Sequence, residues 1–142
     1  MELHDVYSFD GAAGILFKLC KERRDENIVN ISFQMPTWEK HLEFIKSHPY
    51  VYWYLIFEGH YHGYVSLTYQ NEIGIVLFKK SRGQGIGKQA LELFMWEHAP
   101  LPAVPSQRRG CFVANINPEN ERSIKLFTGL GFHHVQNTYT KS

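Results

Sequence analysis

The sequence predicts an α/β (α+β) fold in which helices and a β-sheet pack in layers. The chain has 142 residues, of which 44% are hydrophobic and 20% are charged. That size and composition are typical of one globular domain with its own core. After residue 70, helical and strand patterns alternate along the chain, as they do in layered folds. We therefore expect residues 1–142 to form a single domain.

The first half of the chain is predicted to hold two helices and several strands. Apolar residues at helical spacing follow Asp10, an N-cap candidate, and the charged run 21–26 is expected to end this first helix. Thr37 is a second N-cap candidate, for a helix that ends near Ser47. The segments with strand character are residues 2–9, 27–33, 50–57 and 61–69, the last two forming a hairpin.

In the second half, residues 73–78 are a nearly continuous apolar run that predicts a strand. Because apolar and polar residues do not alternate there, we expect burial on both faces and a central position in the sheet. A helix then extends to about His98, and residues 100–110, with three prolines, are predicted to be a loop. The remaining predicted elements are strands at 111–116 and 132–139 and a helix at 119–128.

Charge and cysteine content restrict the class of partner. Fifteen Lys and Arg residues against fourteen Asp and Glu give a net charge of +1, so no global field attracts nucleic acid or membrane. The sequence shows no secretory signature and no apolar run of about 20 residues. Cys20 and Cys111 lie outside any metal-binding spacing and are expected to be reduced. We expect a cytoplasmic protein without a metal, nucleic-acid or membrane partner.

The strongest local signal is the run 79–88, Lys-Lys-Ser-Arg-Gly-Gln-Gly-Ile-Gly-Lys. It follows an apolar strand and opens a helix, and it combines three alternating glycines with four basic residues and no acid. Such a run favours binding of a phosphate or pyrophosphate at the helix start, and the alternative is a glycine-rich turn with solvated lysines. A nucleoside-triphosphate loop fails because Gln89 follows Gly87-Lys88, and a dinucleotide fingerprint fails because Lys88 takes the last glycine position.

Two motifs in this order resemble those of the GNAT superfamily of acyl-CoA-dependent N-acyltransferases. Residues 82–87, Arg-Gly-Gln-Gly-Ile-Gly, are similar to its Q/R-x-x-G-x-G/A signature, and residues 120–127 with 130–132 are similar to its N-x-x-A/S-I-x-L-Y…L-G-F ending. The resemblance implies a mixed, mostly antiparallel central sheet flanked by helices, with a V-shaped opening at the central strands. It also implies acetyl-CoA as the co-substrate and no metal.

The resemblance implies specific roles for residues of this chain. Backbone groups of Ile75, Val76 and Leu77 are expected to contact the pantetheine arm, which can pair with a strand edge as an added strand does. A strand N–H at the thioester oxygen would be worth roughly 10²–10³ in rate. Asn120 matches the residue whose side chain touches the pantetheine. The pyrophosphate is expected to lie against the main chain of Arg82, Gly83, Gln84, Gly85, Ile86, Gly87 and Lys88.

Two departures from the family pattern leave the proton-transfer groups open. Phe127 stands where the family often has the Tyr that protonates the departing thiolate, and Asn115 stands where members that acetylate protein N-termini often have a basic Glu. An alkyl amine with a pKa of about 10.4 is mostly protonated at pH 7, so a base is required. Glu72 is the candidate base, with an exposed carboxylate at a strand end as the alternative. Tyr139 is a weaker candidate acid, and packing of a C-terminal aromatic is its alternative.

The predicted function is direct transfer of an acetyl group from acetyl-CoA to the primary amine of a small molecule or amino sugar. One alternative is acetylation of a protein N-terminus or lysine. A second alternative, which the missing Tyr and Glu motivate, is a catalytically weak acyl-CoA-binding module. The protein is expected to act as a monomer or a homodimer.

Overall fold

The computed structural model describes residues 1–26 and 34–141 and shows a four-stranded antiparallel sheet with helices on both faces. The strands are β1 (Glu2–Asp5), β2 (Tyr52–Glu58), β3 (His60–Leu67) and β4 (Ile73–Leu77), in the spatial order β1-β2-β3-β4. The helices are α1 (Ala12–Glu26), α2 (Trp38–Lys46), α3 (Ile86–Glu97) and α4 (Glu121–Gly129). The expected mixed, mostly antiparallel fold is confirmed.

Alternation along the strands gives the sheet two apolar faces. On one face, Trp53 and Leu55 of β2 pack with Leu16 of α1. On the other face, Val65 and Leu67 of β3 pack with the buried side of α3 and with Phe127 of α4. Since every second strand residue points to the same face, β2 and β3 supply side chains to both cores. Helices α1 and α2 therefore lie on one side of the sheet, and α3 and α4 lie on the other.

The predicted start of α2 agrees with the structure, whereas the N-cap candidate Asp10 does not directly precede α1, which begins at Ala12. The predicted N-cap Thr37 is confirmed, because its Oγ1 accepts a hydrogen bond from the backbone N–H of Lys40 at 3.2 Å. The predicted end of the first helix is wrong, because α1 continues through the charged run to Glu26. Lys, Glu and Arg are good helix formers, and the last of these residues forms an ion pair with a distant arginine.

The central position predicted for residues 73–78 is wrong, because β4 is the last strand of the described sheet. In the described part of the chain, the outer side of this segment carries one parallel bridge, between Glu72 and Val113. In that bridge Ile73 N–H donates to the Val113 carbonyl at 2.8 Å, and Val113 N–H donates to the Asn71 carbonyl at 2.9 Å. Among the described residues no further ladder forms along β4, so a one-sided opening follows the bridge.

The strands predicted at 111–116 and 132–139 do not form in the described part of the chain. The first contributes only the Val113 bridge, and the second has no regular structure. Strand propensity measures how well a side chain suits a pleated surface, and it does not supply the partner edge that a strand needs. The strand character of residues 27–33 lies outside the described residues. None of the described helices is long and apolar enough to cross a membrane.

Candidate functional site

The outer edge of β4 presents unpaired backbone groups to the opening. Phe78 N–H donates to the His62 carbonyl, and Thr68 N–H donates to the Glu72 carbonyl, both at 2.9 Å. Because hydrogen-bonded pairs alternate in an antiparallel ladder, the backbone of Val76 points inward to Tyr64. The backbones of Ile75 and Leu77 point outward. Among the described residues no backbone group pairs with the Ile75 N–H.

The glycine-rich run forms the turn that joins β4 to α3. Gly83 and Gly85 have φ of +75° and +78°, and a Cβ on either would meet no atom within 4 Å. Glycine is therefore required at both positions because the backbone is left-handed there, and not because space is lacking. Gly85 is the N-cap of α3, and the first helical bond runs from Gln89 N–H to its carbonyl at 3.1 Å. The backbone N–H groups of Ile86, Gly87 and Lys88 consequently lie at an open helix start.

Glycine is needed at position 87 for a different reason than at positions 83 and 85. A Cβ there would lie 3.3 Å from Cδ1 of Ile75, 3.5 Å from Cδ1 of Leu77 and 3.6 Å from Cδ2 of Leu126. The absent side chain lets the first turn of α3 pack closely against β4 and α4. This contact fixes the helix start beside the unpaired strand edge.

The basic residues of the run divide into one ion pair and three exposed lysines. Both terminal nitrogens of Arg82 donate to the Glu26 carboxylate at 2.9 Å, and the two side chains are 18% and 17% exposed. The Arg82 guanidinium lowers the pKa of Glu26. Glu22 of α1 also accepts the backbone N–H of Lys79. The exposed side chains are those of Lys79, Lys80 and Lys88.

Residues of the second motif lie at and within α4. Asn120 is its N-cap, with Oδ1 3.1 Å from the Ser123 N–H, and its side chain is exposed. Phe127 is 5% exposed and contacts Phe132 edge-to-face at a centroid distance of 5.2 Å. The phenyl ring at this position is therefore part of the core and has no proton to donate.

A pocket of about 380 Å³ lies between α1, α2 and the sheet. Its floor includes Tyr64 of β3, which is the direct cross-strand partner of Val76. His41 of α2 is fixed in its wall, because its Nε2 is 2.9 Å from the Ala13 carbonyl oxygen. The complete lining is Leu16, Leu19, Cys20, Arg23, Gln34, Pro36, Lys40, His41, Phe44, Tyr50, Trp53 and Tyr64.

A group of titratable side chains lies around Arg23 in this pocket. Burial raises the pKa of Tyr64 and of Tyr50, and the charge of Arg23 partly opposes both shifts. Burial likewise raises the pKa of Cys20, again opposed by Arg23. Sequence reasoning missed this group. The available signal was that Leu16, Leu19 and Arg23 share one face of α1 at helical spacing.

The two candidate proton-transfer residues lie in different surroundings. Glu72 directly precedes β4 and is half-buried, and alternation places its side chain on the α1 and α2 face together with Gly74 and Val76. Its carboxylate is one of the charges that raise the pKa of Tyr50, after burial itself. Tyr139 is 88% exposed in a segment without regular structure. Both assignments stay predictions.

The family is decided by a comparison over most of the chain. The model of the acetyltransferase (GNAT) domain matches residues 13–133. The chain belongs to the GNAT acetyltransferase family. This GNAT protein is thereby an acetyl-CoA-dependent N-acetyltransferase by class, and the family resemblance of its two motifs is confirmed. No curated protein matches it by sequence at a significant level.

Solved structures share the fold of this GNAT protein. An acetyltransferase from Thermus thermophilus has a TM-score of 0.68 at 19% identity, with 96% of this chain and 88% of that chain covered. The ribosomal-protein-alanine N-acetyltransferase from Brucella melitensis has a TM-score of 0.68 at 17% identity, covering 96% and 86%. Salmonella typhimurium yncA, solved with its cofactor acetyl-CoA, has a TM-score of 0.67 at 18% identity, covering 93% and 79%.

Proposed function

We propose that this GNAT domain, comprising the whole chain, transfers an acetyl group from acetyl-CoA to the primary amine of a small molecule or amino sugar. The observation that carries the proposal is the position of the pocket floor. Tyr64 in that floor is paired with Val76, which adjoins the unpaired amide of Ile75. Neighbouring strands are about 4.8 Å apart, so an acceptor in the pocket lies beside the strand edge at which the acyl group would bind.

The residues at the β4 edge and the α3 start fit acetyl-CoA. The outward backbones of Ile75 and Leu77 can pair with an extended pantetheine as a neighbouring strand would. The open helix start, the space around Gly83 and Gly85, and the exposed lysines suit a pyrophosphate. Arg82 contributes by another route, because its ion pair with Glu26 fastens the loop to α1. The oxygen of Asn120 caps α4, and its amide N–H₂ bonds to no group of residues 1–26 or 34–141.

Among the outward amides, that of Ile75 is the candidate donor for the thioester oxygen. The amide of Ile73 is already bonded to Val113, and Leu77 lies next to the phosphate-binding turn. Ile75 is therefore the open amide farthest from the pyrophosphate end, which is where the acyl end of an extended ligand belongs. A donor at this oxygen stabilises charge that develops during the reaction.

The chain's other task is proton transfer. Acetyl-CoA supplies the acetyl group as a thioester. When the amine nitrogen bonds to the carbonyl carbon and the carbon–sulfur bond breaks, one proton leaves the nitrogen and the departing thiolate takes up one. Glu72 is the candidate to accept the amine proton, directly or through water, since it lies on the pocket face of the sheet. Tyr139, the weaker candidate from the sequence, stays the candidate to protonate the departing thiolate.

The pocket favours a small acceptor over a protein. A volume of about 380 Å³ between two helices and the sheet is within the range of small-molecule sites. The Brucella melitensis neighbour, named for a ribosomal protein, keeps protein N-terminal acetylation as the second candidate. The buried Phe127 keeps a catalytically weak acyl-CoA-binding module as the third.

Thiol release from acetyl-CoA, measured with a panel of amines, tests the proposal. The panel contains aliphatic amines, amino sugars, amino acids and short peptides with free N-termini. We expect release with a small amine and at most slow release with peptides. Faster release with peptides would establish the second candidate, and saturable acetyl-CoA binding without release for any amine would establish the third.

A further inference from the structure

The lining of the acceptor pocket is positively charged, and Glu72, on the same face of the sheet, is not part of that lining. Arg23 and Lys40 line it, and the described lining contains no Asp or Glu. Within residues 1–26 and 34–141 no carboxylate forms an ion pair with Arg23, whereas the adjacent Arg24 is 3.0 Å from Asp25. A half-buried guanidinium beside apolar side chains favours an anion as its partner, and Arg23 is half-buried. The pocket therefore suits an anionic ligand.

The pocket residues also include hydrogen-bond donors that lack acceptors. Nε of Arg23 and Nε1 of Trp53 are buried, and neither has a hydrogen-bond partner in the described structure. Trp53 is only 4% exposed. Both atoms are donors that cannot accept, so the missing partners are acceptors. Buried donors without partners are rare in folded proteins, and both of these belong to side chains that line the pocket. Because the two atoms themselves have almost no accessible surface, a ligand would meet the terminal nitrogens of Arg23.

We propose that the acceptor amine also carries an acidic group, most simply a carboxylate, which pairs with Arg23, and an apolar or aromatic body. The apolar body would contact Leu16, Leu19 and Phe44, which form the apolar part of the wall. This assignment deepens the proposed function and rests on it. The substrate class is then an amino acid or a related amine bearing an anionic group.

The same charges assist the reaction. Arg23 and Lys40 disfavour a third cation and so act to lower the pKa of a bound ammonium group, whereas Glu72 on the same face acts in the opposite direction and is the candidate to take up the proton. The anionic group offsets this repulsion for the substrate as a whole. An amine without an acid would meet the repulsion and gain no compensating ion pair.

The test compares two probes of nearly the same shape, one with a carboxylate and one with a neutral amide, at a pH well below the pKa of both α-amino groups so that both amines are protonated. L-phenylalanine and L-phenylalaninamide are titrated calorimetrically into the protein saturated with coenzyme A, which removes differences in amine reactivity. A hydrogen bond to a charged group contributes about 1.5–3 kcal/mol, so we expect the carboxylate to bind roughly 10- to 100-fold more tightly.

Matched variants locate the effect. Arg23→Met is expected to abolish the difference between the probes, and Arg23→Lys is expected to retain part of it because the charge remains. Arg24→Met, one residue away and exposed, is expected to leave it unchanged. Circular dichroism and coenzyme A affinity verify that each variant is folded.

Equal affinity of the wild-type protein for the two probes, or no binding of either, would overturn the assignment. So would an Arg23→Met protein, folded and binding coenzyme A, that keeps the preference. These failures differ from that of the proposed function. If acetyl transfer to phenethylamine is as fast as to phenylalanine, only the proposal that the acceptor carries an acidic group is overturned. If phenylalanine binds but no amine is acetylated, only the proposed acetyltransferase activity is contradicted.

Discussion

Replacing Gly85 by valine separates the backbone role of the turn from its role in binding. Gly85 has φ of +78°, and a side chain there would extend into open space at the start of α3. The left-handed conformation costs a branched residue roughly 1–2 kcal/mol, which corresponds to a fall in Tm of about 3–8 °C for a chain of this size. The added methyl groups would also occupy the space through which a pyrophosphate approaches the helix start.

The expected loss of acetyl-CoA affinity is larger than the loss of stability implies. Losing one charge-assisted hydrogen bond to a phosphate costs about 1.5–3 kcal/mol, so the Kd from titration calorimetry is expected to rise roughly 10- to 100-fold. Gly59→Val is the matched control, because Gly59 has φ of +77°, equally open surroundings and a place in the β2–β3 turn. The Gly59→Val protein is expected to lose as much stability as Gly85→Val and to keep the wild-type affinity for acetyl-CoA. Wild-type affinity in folded Gly85→Val, or an equal loss in Gly59→Val, would refute the assignment of the turn.

Two further predictions concern carboxylates. Glu72→Gln is expected to lower kcat by about 10²–10⁴-fold with coenzyme affinity nearly unchanged, and to flatten the acid limb of the pH–rate profile. The control is Glu92→Gln, because Glu92 is exposed on α3 on the other side of the sheet. A kcat of Glu72→Gln within threefold of wild type would exclude Glu72 as the general base. Glu26→Gln removes the partner of Arg82 and is expected to lower Tm at neutral pH. Because the pKa of Glu26 lies below its ordinary 4.5 in the folded state, the stabilisation is present above pH 4.5 and is lost as the pH falls through the folded value. Thermal scans should show the wild-type advantage vanish in acid, and an advantage that persists there would contradict an ionic origin.

Features that depend on neighbouring residues in the chain were predictable. The turn at residues 83–87 requires glycine locally, because Gly83 and Gly85 adopt a left-handed backbone. Thr37 caps the helix that it immediately precedes, and the β2–β3 hairpin closes over one tight turn. In each case the sequence contains both partners of the interaction within a few positions.

Features that depend on distant partners were not predictable in the same way. Arg82 is a residue type that often binds phosphate, yet its guanidinium pairs with the carboxylate of Glu26, 56 residues away in the chain. The apolar run at 73–78 indicates a strand but does not reveal that, in the described part of the chain, only Val113 bonds to its outer side. Arg23 belongs to a charged run, and its membership of the pocket follows only from the packing of α1 against α2 and the sheet.

Amide hydrogen exchange at β4, read by nuclear magnetic resonance with and without acetyl-CoA, tests most directly where the coenzyme binds. The Ile75 amide points into the opening, whereas the Val76 amide is already paired with Tyr64 and is the internal reference. Acetyl-CoA is expected to slow exchange at Ile75 and at the first amides of α3, and to leave Val76 nearly unchanged. Saturation with acetyl-CoA that leaves Ile75 as exposed as before would contradict binding along this strand edge.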